Sequence, residues 1–282
     1  MSYQQEVYER FAKFRKPAEF PIYPPYHKGP YLEEYFSKRF AEESPVTDKI
    51  FIPVYWTHCY NDGYESEELK GAIEELDPSR SYFAVMTHDD APRELLPKDT
   101  MCFSAGGLKG DIPIPLICSG FEDIVPREKD VFCSFVGSIT HPIRSLMCRF
   151  LPLDAAKYQV YVKSWTPHIT EQEESGFREV MQDSIFSLCP RGYGPTSYRL
   201  YEALQLGSIP VYIYDKTWLP WQNELNWSEI CILIHQSKIS EIDLILSSIP
   251  QKRIEQMQQK MASVYDDNFT FDATYKKILE RI

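Results

Sequence analysis

No stretch of the 282-residue chain approaches the ~20 consecutive apolar residues that a membrane-spanning helix needs. The first residues, MSYQQEVYERFAKFRKP, also lack the uncharged apolar segment of a secretory leader. The expectation is a soluble protein without a membrane anchor, working in a cytoplasm. Cysteine pairing signals are missing too. The seven cysteines (59, 102, 118, 133, 148, 189 and 231) are odd in number, scattered, and form no CxxC. That argues against a disulfide framework and a zinc site. Most of them stand in apolar runs such as VFCSFVG and ICILI, where a thiol is usually buried. Positive charge is scarce: 30 Lys and Arg against 41 Asp and Glu leave a net charge of −11. Nucleic acid and anionic membranes are excluded as bulk partners, although a nucleotide remains acceptable wherever arginines gather. No GxGxxG loop and no phosphate-binding GxxxxGK occur, which disfavours a dehydrogenase, a sugar-nucleotide epimerase or a kinase. No Asp-x-Asp triplet is present, and His58, His141 and His168 stand isolated, without metal-ligand spacing.

What the chain does have is apolar substance. Hydrophobic residues make up 43 %, enough for real cores and against global disorder. Aromatics reach 14 %, with 19 Tyr and 5 Trp. They suit either a protein that covers the C–H faces of sugars or simply a Tyr-rich core. Residues 1–45 read as an extended, Pro- and Tyr-rich arm followed by a helix near 31–42. From Lys49 onward short apolar runs alternate with helical patterns. Strands are expected at 50–56, 81–87, 100–106, 113–120, 131–137, 158–163, 184–190, 209–214 and 229–234. Helices are expected at 65–76, 141–150, 171–182, 197–206, 239–248, 250–264 and 271–282. The alternation predicts an α/β fold with parallel sheets. The polar FEDIVPREKD (121–130), with Pro126, is the candidate linker. It divides the chain into an N-terminal domain over 1–125 and a C-terminal domain over 126–260. A terminal helix over 261–282 would pack back on the first domain.

Residues 184–214, SIFSLCPRGYGPTSYRLYEALQLGSIPVYIY, carry the most information. They read as strand, glycine loop, helix and strand. Gly192 and Gly194 permit close backbone approaches. Thr196 or Ser197 can cap the helix, and Gly207 can end it in the left-handed region. The free N–H groups of such a helix start attract anions. Arg199 and Glu202, three residues apart, share a helix face: an arginine there can pair with phosphate and a carboxylate can hold a ribose. The two could equally form a salt bridge on a solvated face.

The stretch from Phe186 to Trp227 resembles the signature of exostosin-like glycosyltransferases. Its matching residues are Phe186, Leu188, Pro190 and Gly192, then Ser197, Arg199, Glu202, Ala203 and Leu204. Ile209, Pro210, Val211, Leu219, Pro220, Asn226 and Trp227 complete it. Weaker likenesses are Phe135-Val136-Gly137 with Arg144, Asp111 to Pro115, and His88-Asp89 with Pro92. The resemblance implies a GT-B architecture, two Rossmann-like domains facing across a cleft, and an inverting reaction without an obligatory metal or other cofactor. It implies a nucleotide-sugar donor, UDP-xylose the first choice, and a glycan acceptor. By position, Glu202 would hold the ribose, Arg144, Arg191, Ser197 and Arg199 would face the diphosphate, and Gly137, Pro190, Gly192 and Thr196 would line the donor site. Members of the family are mostly anchored in the Golgi, so an anchorless chain departs from the pattern. In compactness and composition it resembles members carried by large algal DNA viruses, which points to a host cytoplasm.

Inverting transfer needs a base for the acceptor hydroxyl and a cation or dipole for the departing diphosphate. Asp89 is the preferred base, His88 the next, and Asp111 the reserve. Asp111, between Gly110 and prolines, also reads as a turn residue. Trp56, Trp165, Trp218 and Trp221 are candidate acceptor platforms or core residues. The competing class is a glycan-binding module of the same fold without catalysis.

Overall fold

The computed structural model describes residues 2–17, 29–61, 67–90, 93–152 and 154–282. They divide into two units, Met1–Ser119 with Thr270–Ile282, and Gly120–Phe269.

The first unit opens differently from the expected extended arm. Ser2 and Gln5 form a reciprocal capping box that starts helix α1 (Tyr3–Arg10), and a 3-10 turn follows at Ala12–Phe14. Val7, Phe11 and Phe14 from this segment are buried in the core with Ile52, Val54, Trp56 and Leu69. The proline count of residues 1–45 concealed a helix whose own eight residues hold no proline. The stretch 18–28, which holds three of those six prolines, lies outside the described residues. Helix α2 (Leu32–Glu43) precedes a sheet of four parallel strands in sequential order: β1 (Ile50–Phe51), β2 (Tyr82–Met86), β3 (Met101–Ser104) and β4 (Ile112–Pro113). Helices α3 (Trp56–Asn61) and α4 (Glu67–Glu74) fall between β1 and β2. The strands expected at 50–56 and 113–120 are only two residues long here. Pro53 and Pro115 have no N–H for a ladder, so each run leaves the sheet where a proline intervenes.

The other face of this sheet carries a stack of rings. Phe51 and Phe83 stack at 5.0 Å, Phe36 meets Phe51 edge-on at 5.1 Å, and Tyr275 packs on Phe36 at 5.0 Å. Tyr275 belongs to α10 (Phe271–Leu279), which pairs its Asp272 with Arg39 and its Tyr275 hydroxyl with Glu43 of α2. Much of the aromatic excess is therefore core.

The second unit has five parallel strands. β5 (Val131–Gly137), β6 (Tyr158–Val162), β7 (Ser184–Pro190), β8 (Ile209–Tyr214) and β9 (Ile232–His235) stand in the order β6-β5-β7-β8-β9. Their helices are α5 (Pro142–Phe150), α6 (Glu171–Asp183), α7 (Tyr198–Gln205), α8 (Ile242–Ser247) and α9 (Gln251–Asn268). Strand order 2-1-3-4-5 reverses direction between β5 and β7. In doubly wound sheets that reversal opens a crevice outside the carboxyl ends of the two strands.

The division falls at 119/120 and 269/270, not at 125/126 and 260/261. Gly120, at φ +90°, turns the chain so that Phe121 exchanges two backbone bonds, 3.0 and 3.1 Å, with the Gln205 amide of α7. Residues 120–125 thus belong to the second unit. At the other end α9 runs on to Asn268, whose carbonyl accepts from Trp221 Nε1 at 3.1 Å, while Phe269 packs on Trp227.

Candidate functional site

The glycine loop leaves β7 at Pro190, and Gly192 N–H closes it by donating to the Thr196 carbonyl at 2.8 Å. Tyr212 on β8 anchors the loop by donating to the Pro195 carbonyl at 2.6 Å. Ser197 has the extended backbone of an N-cap, but its hydroxyl makes no capping bond. The buried Thr196 hydroxyl finds no hydrogen-bond partner among the described residues. At the far end of α7 Gly207 takes φ +72°, a left-handed stop, with Ser208 N–H bonded back to Ala203.

The arginines tie this loop to the end of β5. Arg144, 6 % exposed on α5, donates Nε to the Arg191 carbonyl at 2.9 Å and Nη1 to the Ser138 carbonyl at 2.9 Å. One side chain therefore clamps the loops on both sides of the strand-order reversal. Arg191 places Nη1 2.7 Å from both oxygens of Asp215, and its Nη2 donates to the Tyr193 carbonyl at 2.7 Å. Arg199 turns inward from α7: Nη2 donates to the Val136 carbonyl, and the guanidinium stands 4.9 Å from the Phe135 ring and 5.8 Å from that of Phe177. This is not a salt bridge on a solvated face. Arg199 Nε and Nη1 are shut off from solvent without a hydrogen-bond partner among the described residues, as is Arg191 Nε. Burial pushes the Arg199 guanidinium below its usual value. An unpaired buried donor is costly, and an anion is the partner that satisfies it.

Helix α5 starts at the same edge, after Gly137. His141 caps it, its Nδ1 accepting from Ile143 N–H at 3.2 Å, and Pro142 takes the first turn. Burial, then the charge of Arg191, lowers the His141 pKa, so this imidazole is neutral at pH 7. Two helix starts and three arginines thus gather at the carboxyl ends of β5 and β7. Glu202 stands one turn along α7 from Tyr198, and its charge acts on Arg199.

In the first unit His88, Asp89 and Asp90 follow β2 at its carboxyl end, the place expected for them. His88 is 7 % exposed, and its Nδ1 accepts from Asp90 N–H at 3.1 Å. Burial pushes it down to about 4. A neutral ring whose Nδ1 lone pair already accepts the Asp90 amide is a poor base. Gly106 packs against Asp89: a Cβ there would meet the Asp89 backbone and Oδ1 at 2.6 Å. Asp111 is not brought to this cluster. It precedes β4, at the amino end of the sheet, where its Oδ2 accepts from Cys102 N–H at 2.9 Å. Trp56, Trp218 and Trp221 are buried, whereas Trp165 is exposed.

Sequence reasoning overlooked the group that holds the end of β2. Glu33, 1 % exposed, accepts from Thr57 N–H at 2.6 Å and from Thr87 N–H at 2.8 Å. It splices the start of α3 to the end of β2, and burial raises it to about 7. Its neighbour Glu34 accepts from Tyr31 N–H at 3.0 Å and stands 2.9 Å from His58 Nε2. In the sequence these two acids look like ordinary first-turn helix residues, and only the burial of their helix face distinguishes them.

The fold and site define a two-unit parallel α/β protein, doubly wound in its second unit, whose switch-point crevice presents unsatisfied cationic donors. The chain belongs to the family described as the exostosin GT47 domain, whose profile matches residues 106–249, just over half of it. Over 95 residues it is 39 % identical to the Arabidopsis thaliana protein named probable beta-1,4-xylosyltransferase IRX10, covering 34 % of this chain and 23 % of the relative. A second relative, the probable glucuronosyltransferase Os01g0926400 of Oryza sativa subsp. japonica, is 37 % identical over 95 residues, 34 % of this chain and 22 % of its own length. The matched stretch thus spans less than a quarter of either relative. Among solved structures, the glycosyltransferase WaaG of lipopolysaccharide biosynthesis aligns with TM-score 0.43 and 11 % identity, over 87 % of this chain and 80 % of that one. No described helix is long and apolar enough to cross a membrane.

Proposed function

We propose that the chain is a glycosyltransferase that moves a sugar from a UDP-sugar, xylose the first candidate, to a glycan hydroxyl with inversion and without an obligatory metal. The observation that carries this is Arg199: a buried guanidinium with two unsatisfied N–H donors at a strand-order switch point. A diphosphate in that crevice would meet Arg199 directly, while the Thr196 and Ser197 hydroxyls and the α7 amides add neutral donors. Such fixed donors stabilise a departing diphosphate as a metal would. Arg144 and Arg191 hold the two loops and contribute field; Glu202 accepts from the ribose. Asp89, next to the acceptor, removes the hydroxyl proton as the sugar carbon is attacked from the face opposite the leaving group.

The test is calorimetric binding and hydrolysis of a UDP- and GDP-sugar panel, with and without EDTA, beside Glu202→Ala. One UDP-sugar binding regardless of EDTA, and lost in the variant, supports the reading. Absence of nucleotide binding sinks it and leaves a glycan-binding module.

A further inference from the structure

Two loops of the second unit meet at a single hydroxyl. Tyr212 of β8 is fully buried, and its ring stacks on that of Tyr214 at 5.1 Å with the planes inclined by 16°. Its Oη lies 2.6 Å from the Pro195 carbonyl oxygen and 3.3 Å from that of Lys216, and it accepts from Trp218 N–H at 3.1 Å. A phenol has one proton to donate, and the nearer carbonyl, that of Pro195, receives it. Burial raises the pKa of this hydroxyl, so the proton stays in place at neutral pH. The glycine loop is thereby fastened to the segment that follows β8.

The Pro195 carbonyl and the Thr196 N–H belong to one trans peptide plane, in which the two groups point opposite ways. Holding the carbonyl on Tyr212 therefore aims the N–H away from it. That N–H makes no hydrogen bond among the described residues, and neither does the Thr196 hydroxyl, although Thr196 is 2 % exposed. The backbone on either side is already committed. Arg191 N–H donates to the Ile213 carbonyl at 3.0 Å, and Gly192 N–H to the Thr196 carbonyl. Two fixed, unused donors thus stand on one residue, in the same loop as the unpartnered Nε of Arg191.

We infer that Tyr212 is a positioning residue for phosphate, its hydroxyl fixing the 195–196 peptide so that the Thr196 N–H and hydroxyl meet an oxygen of the donor diphosphate. The inference rests on the transferase reading for its ligand. Donors that are already fixed need no ordering when the anion arrives, and their bonds to a phosphate oxygen are charge-assisted. Without the Tyr212 hydroxyl, the Pro195 carbonyl loses its partner and the peptide plane can turn. The ring supplies packing and the hydroxyl supplies only these bonds, so Tyr212→Phe separates the two. Uridine carries no phosphate, and its binding should not depend on the hydroxyl.

The experiment is calorimetry of the full chain with sodium pyrophosphate and with UDP, and saturation-transfer NMR with uridine. Wild type is compared with Tyr212→Phe and with Tyr158→Phe. The second variant loses a hydroxyl bond to Asp243, 2.8 Å long, elsewhere in the same unit, and so controls for general loosening. Tyr212→Phe should weaken pyrophosphate and UDP about tenfold and leave uridine within about threefold. Tyr158→Phe should leave all three ligands within about threefold. In the wild type, whatever the variants' stability, the NMR resonance of the Thr196 amide should shift when pyrophosphate is added. Pyrophosphate affinity unmoved by Tyr212→Phe, uridine weakened to the same degree, an equal loss in Tyr158→Phe, or an unshifted Thr196 amide each overturns the proposal. Pyrophosphate binding that needs the Tyr212 hydroxyl, with no binding of UDP, supports the positioning role and sinks the nucleotide reading. UDP binding indifferent to Tyr212→Phe does the reverse. A wild type that binds neither ligand overturns both.

Discussion

Arg199 fills the space beside Gly137. A Cβ on residue 137 would lie 2.5 Å from Arg199 Nη2, the nitrogen that donates to the Val136 carbonyl. The glycine at the end of β5 is thus there for the arginine of α7. Gly137→Ala should push the guanidinium from its seat, at a cost of about 1–3 kcal/mol in stability by overpacking. Nucleotide affinity should fall about tenfold or more, as charge-assisted bonds to the phosphates are lost. Thermal melts together with UDP calorimetry check both. Unchanged UDP affinity in a shifted Arg199 would remove this residue from the donor site.

Asp215 holds Arg191 with both oxygens on one nitrogen at 2.7 Å. Burial alone would raise this carboxyl, but the Arg191 bond and the Lys216 amide outweigh it, and its pKa is lowered. A carboxyl so depressed stabilises the fold above its ordinary value and loses that contribution as pH falls through the lowered one. Asp215→Ala should free Arg191 and the 191–196 loop. The expected loss is about 1–3 kcal/mol, with weaker UDP binding and no change in the acid end of the stability curve. Urea denaturation between pH 3 and 7 measures it.

Glu33 reads the opposite way. Burial raises it to about 7 in the fold, so the native state holds this proton more tightly than the unfolded chain does. Its stabilising contribution is complete below the ordinary glutamate value and is lost as pH rises through about 7. Relative to Glu33→Gln, which cannot titrate, the protein should lose roughly 3 kcal/mol between pH 4.5 and 8. Denaturation of both forms at pH 5 and pH 8 decides it; parallel curves would refute the assignment. Since Glu33 bonds Thr87, next to His88, the variant should also lower transfer rate more than UDP affinity.

His88 is depressed to about 4 by burial. The neutral ring is the native form, so its contribution is full above pH ~6.5 and is lost as pH falls through about 4. Protonation turns Nδ1 from acceptor to donor opposite the Asp90 amide and breaks that bond. The His88 ring-proton NMR shifts should hold level from pH 8 to 6 and move on approach to pH 4. A midpoint near 6.5 would show a solvated, unsupported imidazole.

Asp89→Asn should leave UDP affinity intact and lower kcat about 10²–10⁴-fold, the usual worth of a positioned base. Retained turnover would move the base elsewhere.

The second unit was largely readable in advance. Its strands and helices carry complete signals: apolar runs of strand length, His141 and Ser197 at helix starts, Gly207 at a stop. The first unit was less so, because Ser2 with Gln5 outweighed a proline-rich neighbourhood, and Pro53 and Pro115 cut two expected strands short. Within the site, residue types were legible and partners were not. Arg144 was expected against phosphate, yet its donors reach the Arg191 and Ser138 carbonyls. Glu33 and Asp215 carried no signal at all, since their meaning comes from groups 54 and 24 positions away.

By itself the sequence determined the alternation of strands and helices, the glycine loop with its arginines, and the membership those residues declare. These follow from local causes: periodicity, capping and backbone freedom act within a few residues. The tertiary structure alone decided the strand order that reverses between β5 and β7, which arginine donors are spent on carbonyls, and which acids are buried. Those outcomes depend on which distant elements share a face, and only the burial of both sheets fixes that.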